Sequence, residues 1–122
     1  MSNALTQLLG SRLPIIQAPM AGVQGSALAL AVCKAGALGS LPCAMLSADA
    51  LRAELTLLAE RSSGAPWNLN FFAHQPPQPD AGREAAWRAS LARLHAEYGI
   101  DPAAIPAGAG RTPFSDAIAD LV

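Results

Sequence analysis

LPIIQAPMAGV, residues 13–23, is a short apolar run that stops abruptly at a proline, a methionine and then a glycine. Apolar runs of roughly four to eight residues bounded by turn signals read as buried strands. Leu13 to Ala18 fits that description. Beyond it, helical and extended patterns alternate. Ser26 is placed to cap a helix over Ala27 to Ala35, with Lys34 at its negative end and Gly36 available for a left-handed close. Ala37 to Leu41 is a second apolar run, ended by Pro42. Ser47 caps a clearer helix to about Arg61, in which Leu51, Leu55 and Leu58 share one face. After Ser62-Ser63-Gly64, residues 66–72 (PWNLNFF) read as a third strand. Strand starts near residues 13, 37 and 66 give repeats of about 30 residues, the length of a right-handed βαβ unit with parallel strands. The fold class is α/β.

In the third strand Trp67, Leu69 and Phe71 point to one side and Asn68, Asn70 and Phe72 to the other. An apolar face for helices with a polar face opposite fits a barrel interior near its mouth. For Asn68 the structural reading, satisfaction of neighbouring backbone groups, is favoured. Asn70 lies nearer the C-terminal end, where barrel ligands bind, and the ligand reading is favoured there. Gly25, Gly36 and Gly39 are accounted for by helix entry and tight turns. Gly22 directly follows the first strand, where a missing Cβ lets backbone approach a flat ligand.

The later residues change character. Residues 73–80 are a Pro-rich insertion. Asp80 can cap an extra helix over 80–99, with Trp87, Leu91, Leu94 and Tyr98 in one stripe and Gly99 at its end. Residues 101–111 read as loop, and Thr112-Pro113 as the start of a further helix, 112–122, with Pro at its favoured first position. His74 stands in a loop on the side where α/β active sites form, and His95 reads as a surface residue. Asp80, Glu84, Asp101 and Asp116 serve as caps or first-turn charges. No GxSxG, GxxxxGK[ST] or HExxH motif occurs.

The chain has 122 residues, 52% hydrophobic and 14% charged, with a formal net charge of −1. One apolar domain fits that length. The eight basic residues are scattered singly, which argues against nucleic acid or an anionic membrane as partner. No targeting signal or membrane-spanning run is visible, and a cytoplasmic setting is expected. Cys33 and Cys43 lack metal-ligand spacing. One disulfide is conceivable, but buried free thiols are the preferred reading.

The stretches LPIIQAPMAGV, AVCKAGALGSLPCAMLSADALRAEL and PWNLNFFAH, in that order, resemble the opening third of the nitronate monooxygenases, formerly called 2-nitropropane dioxygenases. The likeness covers residues 10–75 well, and the loop and Trp-bearing helix beyond resemble an insertion of bacterial members. The resemblance implies an FMN-containing (β/α)8 TIM barrel that oxidises alkyl nitronates with O2 to a carbonyl compound and nitrite. It implies that Met20, Ala21 and Gly22 lie against the flavin ring and that Asn70 hydrogen-bonds it. An Asn amide offers both donor and acceptor for that purpose. The family's catalytic histidine and phosphate-binding glycine loops come after later strands. Neither His74 nor His95 is carried over to that role, and no catalytic residue is assigned among residues 1–122.

A closed eight-stranded barrel needs about 250 residues. The chain is therefore expected to be the N-terminal portion of such a barrel, its first three parallel strands with their helices. Alone it should bind FMN poorly and turn nothing over. An enoyl-acyl-carrier-protein reductase with a similar barrel opening, and a truncated non-catalytic interaction remnant, are the alternatives.

Overall fold

The computed structural model describes residues 3–76, 78–105 and 112–122. The chain divides into two compact units, Met1–His74 with Arg111–Val122, and Gln75–Gly110.

The first unit opens with helix α1, Ala4–Leu9, an element not expected from the sequence. Asn3 caps it: its Oδ1 accepts the Thr6 N–H at 2.9 Å, and Thr6 Oγ1 accepts the Asn3 N–H at 3.0 Å. This reciprocal box uses Thr where the usual pattern has Glu or Gln. Helix α2, Ser26–Ala35, strand β1, Gly39–Pro42, helix α3, Ala48–Arg61, and strand β2, Trp67–Asn70, come next in the expected alternation. β1 and β2 pair in parallel with Ser40 opposite Asn68 and Pro42 opposite Asn70.

Local rules account for these elements. Gly36 ends α2 at φ 97°, a conformation that favours glycine. The Ser47 hydroxyl accepts the Ala50 N–H at the start of α3. Gly39 proves to be more than a turn residue. A Cβ there would run into the Ala29 carbonyl and the Cys33 sulfur, so its absence lets α2 lie directly on β1. The core is Ala29, Leu41, Cys43, Leu51 and Leu58. Leu55, Trp67, Leu69 and Phe71 pack against it from their helix-facing sides.

The first strand departs from expectation. Only Ile16 forms a bridge, parallel to Leu38, and the stretch is not buried: Ile15 is 54% and Ile16 51% exposed. Among the described residues its backbone hydrogen bonds run along one edge only, to Gly36 and Leu38. Pairing on one edge orders the backbone without covering the side chains.

Near the C-terminus the expected helix from Pro113 is shorter. Helix α6 spans Asp116–Ala119 in place of the expected 112–122. The Phe114 N–H instead donates to the Phe72 carbonyl at 2.7 Å, and its ring meets Phe71 edge-on at 4.9 Å. Those contacts hold Phe114 against the end of the β2 segment rather than in a helical turn. Ile118 and Leu121 reach the core.

In the second unit Asp80 caps its helix as expected, accepting the Arg83 N–H. The single helix over 80–99 is in fact two, α4 at Ala81–Ser90 and α5 at Ala92–Glu97. The break at Leu91 resets the helical phase, so the Trp87–Tyr98 stripe does not form one packed face. Trp87 is 62% and Tyr98 71% exposed, whereas His95, expected at the surface, is only 9% exposed. Residues 102–104 form a 3-10 turn within the expected loop. The rest of that loop, residues 106–111, lies outside the described residues, as does Pro77 of the Pro-rich insertion.

Candidate functional site

The abrupt end of the first strand has a hydrogen-bonding consequence. Alternate residues of a parallel strand serve the same neighbour. Leu38 does so in full: its N–H donates to the Ile15 carbonyl at 3.0 Å, and its carbonyl accepts the Gln17 N–H at 2.9 Å. The next rung would pair Ser40 with an N–H at residue 19, and Pro19 has none. The Gln17 side chain stands in for the missing peptide. Its Oε1 accepts the Ser40 N–H and its Nε2 donates to the Ser40 carbonyl, both at 3.2 Å. Gln24 Nε2 donates to the same carbonyl at 2.9 Å, so both lone pairs of that oxygen are used. From the other side Asn68 Nδ2 donates to Ser40 Oγ at 3.2 Å. Ser40, wholly buried, is thus the hub of a polar face opposite the helices.

The four candidate binding residues lie at one end of this sheet. Met20 to Val23 forms a turn closed by the Val23 N–H donating to the Met20 carbonyl at 3.3 Å. Gly22 sits at φ 81°, the value a type II turn demands at its third residue. The turn alone therefore calls for glycine. A Cβ added at Gly22 would meet nothing within 4 Å, so the space above it is open. Met20 and Ala21 are exposed beside it.

Asn70 ends β2 at the same C-terminal side and is half-buried. Its backbone carbonyl accepts the Cys43 N–H at 2.9 Å. Among the described residues its side-chain amide has no hydrogen-bond partner, unlike that of Asn68. The first strand and β2 flank β1 on its two edges. His74 lies beyond β2 but is exposed, with its ring 5.9 Å from that of Phe72. His95 belongs to the other unit.

Two further features shape this end of the first unit. Ser26 does not cap α2; it is the first helical residue, and Gly25 holds the cap position without a side chain. Glu54 on α3 takes over, its Oε2 accepting the Ser26 N–H at 2.7 Å. A carboxylate already occupies the positive end of α2. Cys43, just past β1, is a buried free thiol like Cys33. Burial pushes its pKa up to about 11, with the Glu54 charge adding to the rise and a hydrogen bond at Asn70 opposing it.

A cleft of about 290 Å³ lies at the opposite, N-terminal ends of the strands, among Gly10, Arg12, Gly36, Gly64 and Pro66. The Arg12 guanidinium there is engaged with the Ala35 carbonyl at the end of α2. This cleft gathers the turns that precede the strands, away from the candidate residues.

The polar framework of Gln17, Gln24, Ser40 and Glu54 does not stand out in the sequence. One signal is present: a glutamine inside an apolar run, two residues before a proline that cannot supply the next N–H.

The family model described as nitronate monooxygenase matches residues 2–107. The chain is 47% identical over 102 residues to the nitronate monooxygenase of Paraburkholderia phytofirmans, covering 84% of this chain and 28% of that protein. It is 45% identical over 102 residues to the nitronate monooxygenase of Pseudomonas aeruginosa, covering 84% and 29%. Among solved structures, a nitroalkane oxidase from Streptomyces ansochromogenes is similar with a TM-score of 0.57 and 40% identity, over 81% of this chain and 27% of that one. FabK from Thermotoga maritima gives 0.56 and 25%, over 82% and 29%. The chain spans less than a third of the length of each of these proteins.

Proposed function

This chain belongs to the nitronate monooxygenase family, and on that premise we propose that it forms one wall of an FMN site serving the oxidation of alkyl nitronates by O2 to a carbonyl compound and nitrite. The observation that carries the proposal is the C-terminal end of the parallel sheet. There an open glycine turn at Met20–Gly22 and the unpartnered amide of Asn70 stand on the same side. Parallel α/β sheets bind ligands at that end. The likeness to the two solved enzymes supports the further reading that these β-α units open a (β/α)8 barrel.

The residues present suit a flavin ring. Backbone N–H groups in the Met20–Gly22 turn have no Cβ at Gly22 to keep a flat surface away. The Asn70 amide offers one donor and one acceptor to a ring edge whose polar atoms alternate in the same way. Asn68 and Gln17 serve Ser40 and so hold the strand ends in place rather than touch the ligand. When bound, FMN supplies the electron chemistry, and the protein orients and tunes it.

Residues 1–122 contribute no catalytic base in this reading. Expressed alone they should take up FMN weakly and release no nitrite from an alkyl nitronate. The test is flavin absorbance and nitrite release on the isolated 122-residue chain. A yellow preparation that turns over nitronate would overturn the assignment of catalysis to residues outside this stretch. Enoyl-thioester reduction without nitrite release, by a longer protein that includes these residues, would favour the reductase reading instead.

A further inference from the structure

Hydrogen bonds tie the turn that carries Met20 and Gly22 to the rest of its unit at the two ends alone. Among the described residues, the one hydrogen bond made by residues 18–22 is the turn's own, from the Val23 N–H to the Met20 carbonyl at 3.3 Å. On the entry side Gln17 is anchored twice. Its N–H donates to the Leu38 carbonyl at 2.9 Å, and its side-chain amide makes two bonds to Ser40. On the exit side the residue directly after the turn is Gln24, whose Nε2 donates to the Ser40 carbonyl at 2.9 Å. That carbonyl only accepts, so the amide must present its nitrogen there. Two amides, one before the turn and one after it, thus converge on a single oxygen. The oxygen belongs to a residue of β1 with no exposed surface, which makes it a fixed reference point.

Gln24 contributes position more than stability. Its Oε1 is buried and has no partner among the described residues. An unpaired buried acceptor costs at least as much as one ordinary hydrogen bond contributes. The Ser40 carbonyl would not be orphaned without Gln24, because Gln17 Nε2 also donates to it. Neither the strand ladder nor the buried oxygen therefore requires the second amide. The turn does require it. Without Gln24 the next tie on the exit side is the Ser26 N–H on Glu54, reached across the conformationally free Gly25.

Resting on the flavin reading above, we infer that Gln24 is a positioning residue: its bond to Ser40 completes a clamp with Gln17 that holds the Met20–Gly22 turn in the pose that receives the ring. Gln24 touches no ligand and carries no proton. A turn ordered beforehand spares the ligand the cost of ordering it, and that is where the clamp acts.

The test is Gln24→Met in the 122-residue chain, which keeps the length of the side chain and removes both polar ends. Nitrogen-15 relaxation without ligand reads the turn directly. In the parent chain the amides of Ala21, Gly22 and Val23 should have order parameters near those of Leu38 and Leu41, about 0.85. In the variant the turn amides should fall below about 0.6 while Leu38 and Leu41 stay unchanged. The ligand-free melting point should move by less than about 2 °C, since the lost bond and the removed orphan acceptor offset each other. In an NMR titration, which reads weak binding, the variant should bind FMN about tenfold more weakly, the effect of having to order roughly one residue.

A loosened turn, an intact sheet and weaker FMN binding together sustain the inference. Turn order parameters that match the parent's overturn it whatever the flavin result. A turn that loosens while both proteins bind FMN equally overturns it as well, because its pose would then not matter to the ligand. A fall of several degrees in melting point, with order lost at Leu38 and Leu41, would make Gln24 a general support of the sheet and not of the turn. If the parent chain binds no FMN even at millimolar concentration, the flavin reading fails and the inference fails with it. The ligand-free relaxation data separate that failure from failure of the clamp alone.

Discussion

Leu13–Ala18 and Ala37–Pro42 are two apolar stretches of equal length, and as sequence they are hard to tell apart. Residues 37–42 are buried throughout, whereas Ile15 and Ile16 remain more than half exposed. Composition cannot explain the difference; position does. β1 has the first strand on one edge, β2 on the other, and α2 close enough over Gly39 that no Cβ fits. The first strand has a neighbour on one edge and a ladder that Pro19 cuts off. Hydrophobicity says that a stretch can be buried. Neighbours on both edges and a helix on one face are what bury it.

The largest expected effect tests that contrast at its centre. Leu41→Ala removes a side chain 1% exposed and should cost about 2–5 kcal/mol, read as a shift in the urea midpoint. Gly39→Ala drives a methyl into the Ala29 carbonyl and Cys33 sulfur. Overpacking of that kind costs roughly 1–3 kcal/mol. If both variants unfold at the parent's midpoint, β1 is not the centre of this unit and the contrast collapses.

Legibility in the sequence divides along the same line. The alternation of elements, the Leu51–Leu58 stripe, the Gly36 close and the Ser47 and Asp80 caps were readable, because each depends on residues within a turn or two. What escaped was set by partners far along the chain. Gln24 meets Ser40 sixteen residues away, and Glu54 meets Ser26 at a distance of 28. Periodicity showed that the 80–99 segment was amphipathic without revealing the break at Leu91. It therefore put His95 outside and Trp87 inside, the reverse of their exposures. At the candidate site the sequence separated Asn70 from Asn68 by position alone. Asn68 donates to the Ser40 hydroxyl rather than to a backbone group, and the Asn70 amide has no partner among the described residues.

The buried end of β1 should also respond to alkali. Cys43 has its pKa raised from the ordinary 9.0 to about 11. Between those values the folded chain keeps a proton that the unfolded chain has lost. Stability is then full below pH 9 and falls as pH rises toward 11. Cys43→Ala should flatten that decline, measured as urea midpoint against pH. An unchanged slope would show that Cys43 is not shielded as the burial of this region requires. The companion expectation is slow alkylation of Cys43 at neutral pH, since the thiolate is the reacting form.

A smaller effect probes how the helices hold β1 between them. Glu54→Gln keeps the shape of the side chain but removes the charge that faces the Ser26 N–H at the start of α2. The loss should be about 1 kcal/mol, within the range for caps and helix-dipole pairs. Raising the salt concentration should narrow the gap between parent and variant if charge carries the effect. A deficit unchanged by salt would assign the effect to the hydrogen bond alone.

The smallest expected effect lies at the other pole of the comparison. Ile15 contributes its backbone carbonyl to the Leu38 N–H, and Ile15→Ala leaves that bond in place. Its side chain is 54% exposed, so the substitution should change stability by no more than about 0.5 kcal/mol. The measurement is a urea midpoint taken at several protein concentrations. A cost near that of Leu41→Ala would mean that Ile15 is covered in solution. Concentration dependence would then identify the cover as a second copy of the chain. A small, concentration-independent change instead confirms that pairing on one edge orders this backbone while leaving its apolar side chains bare.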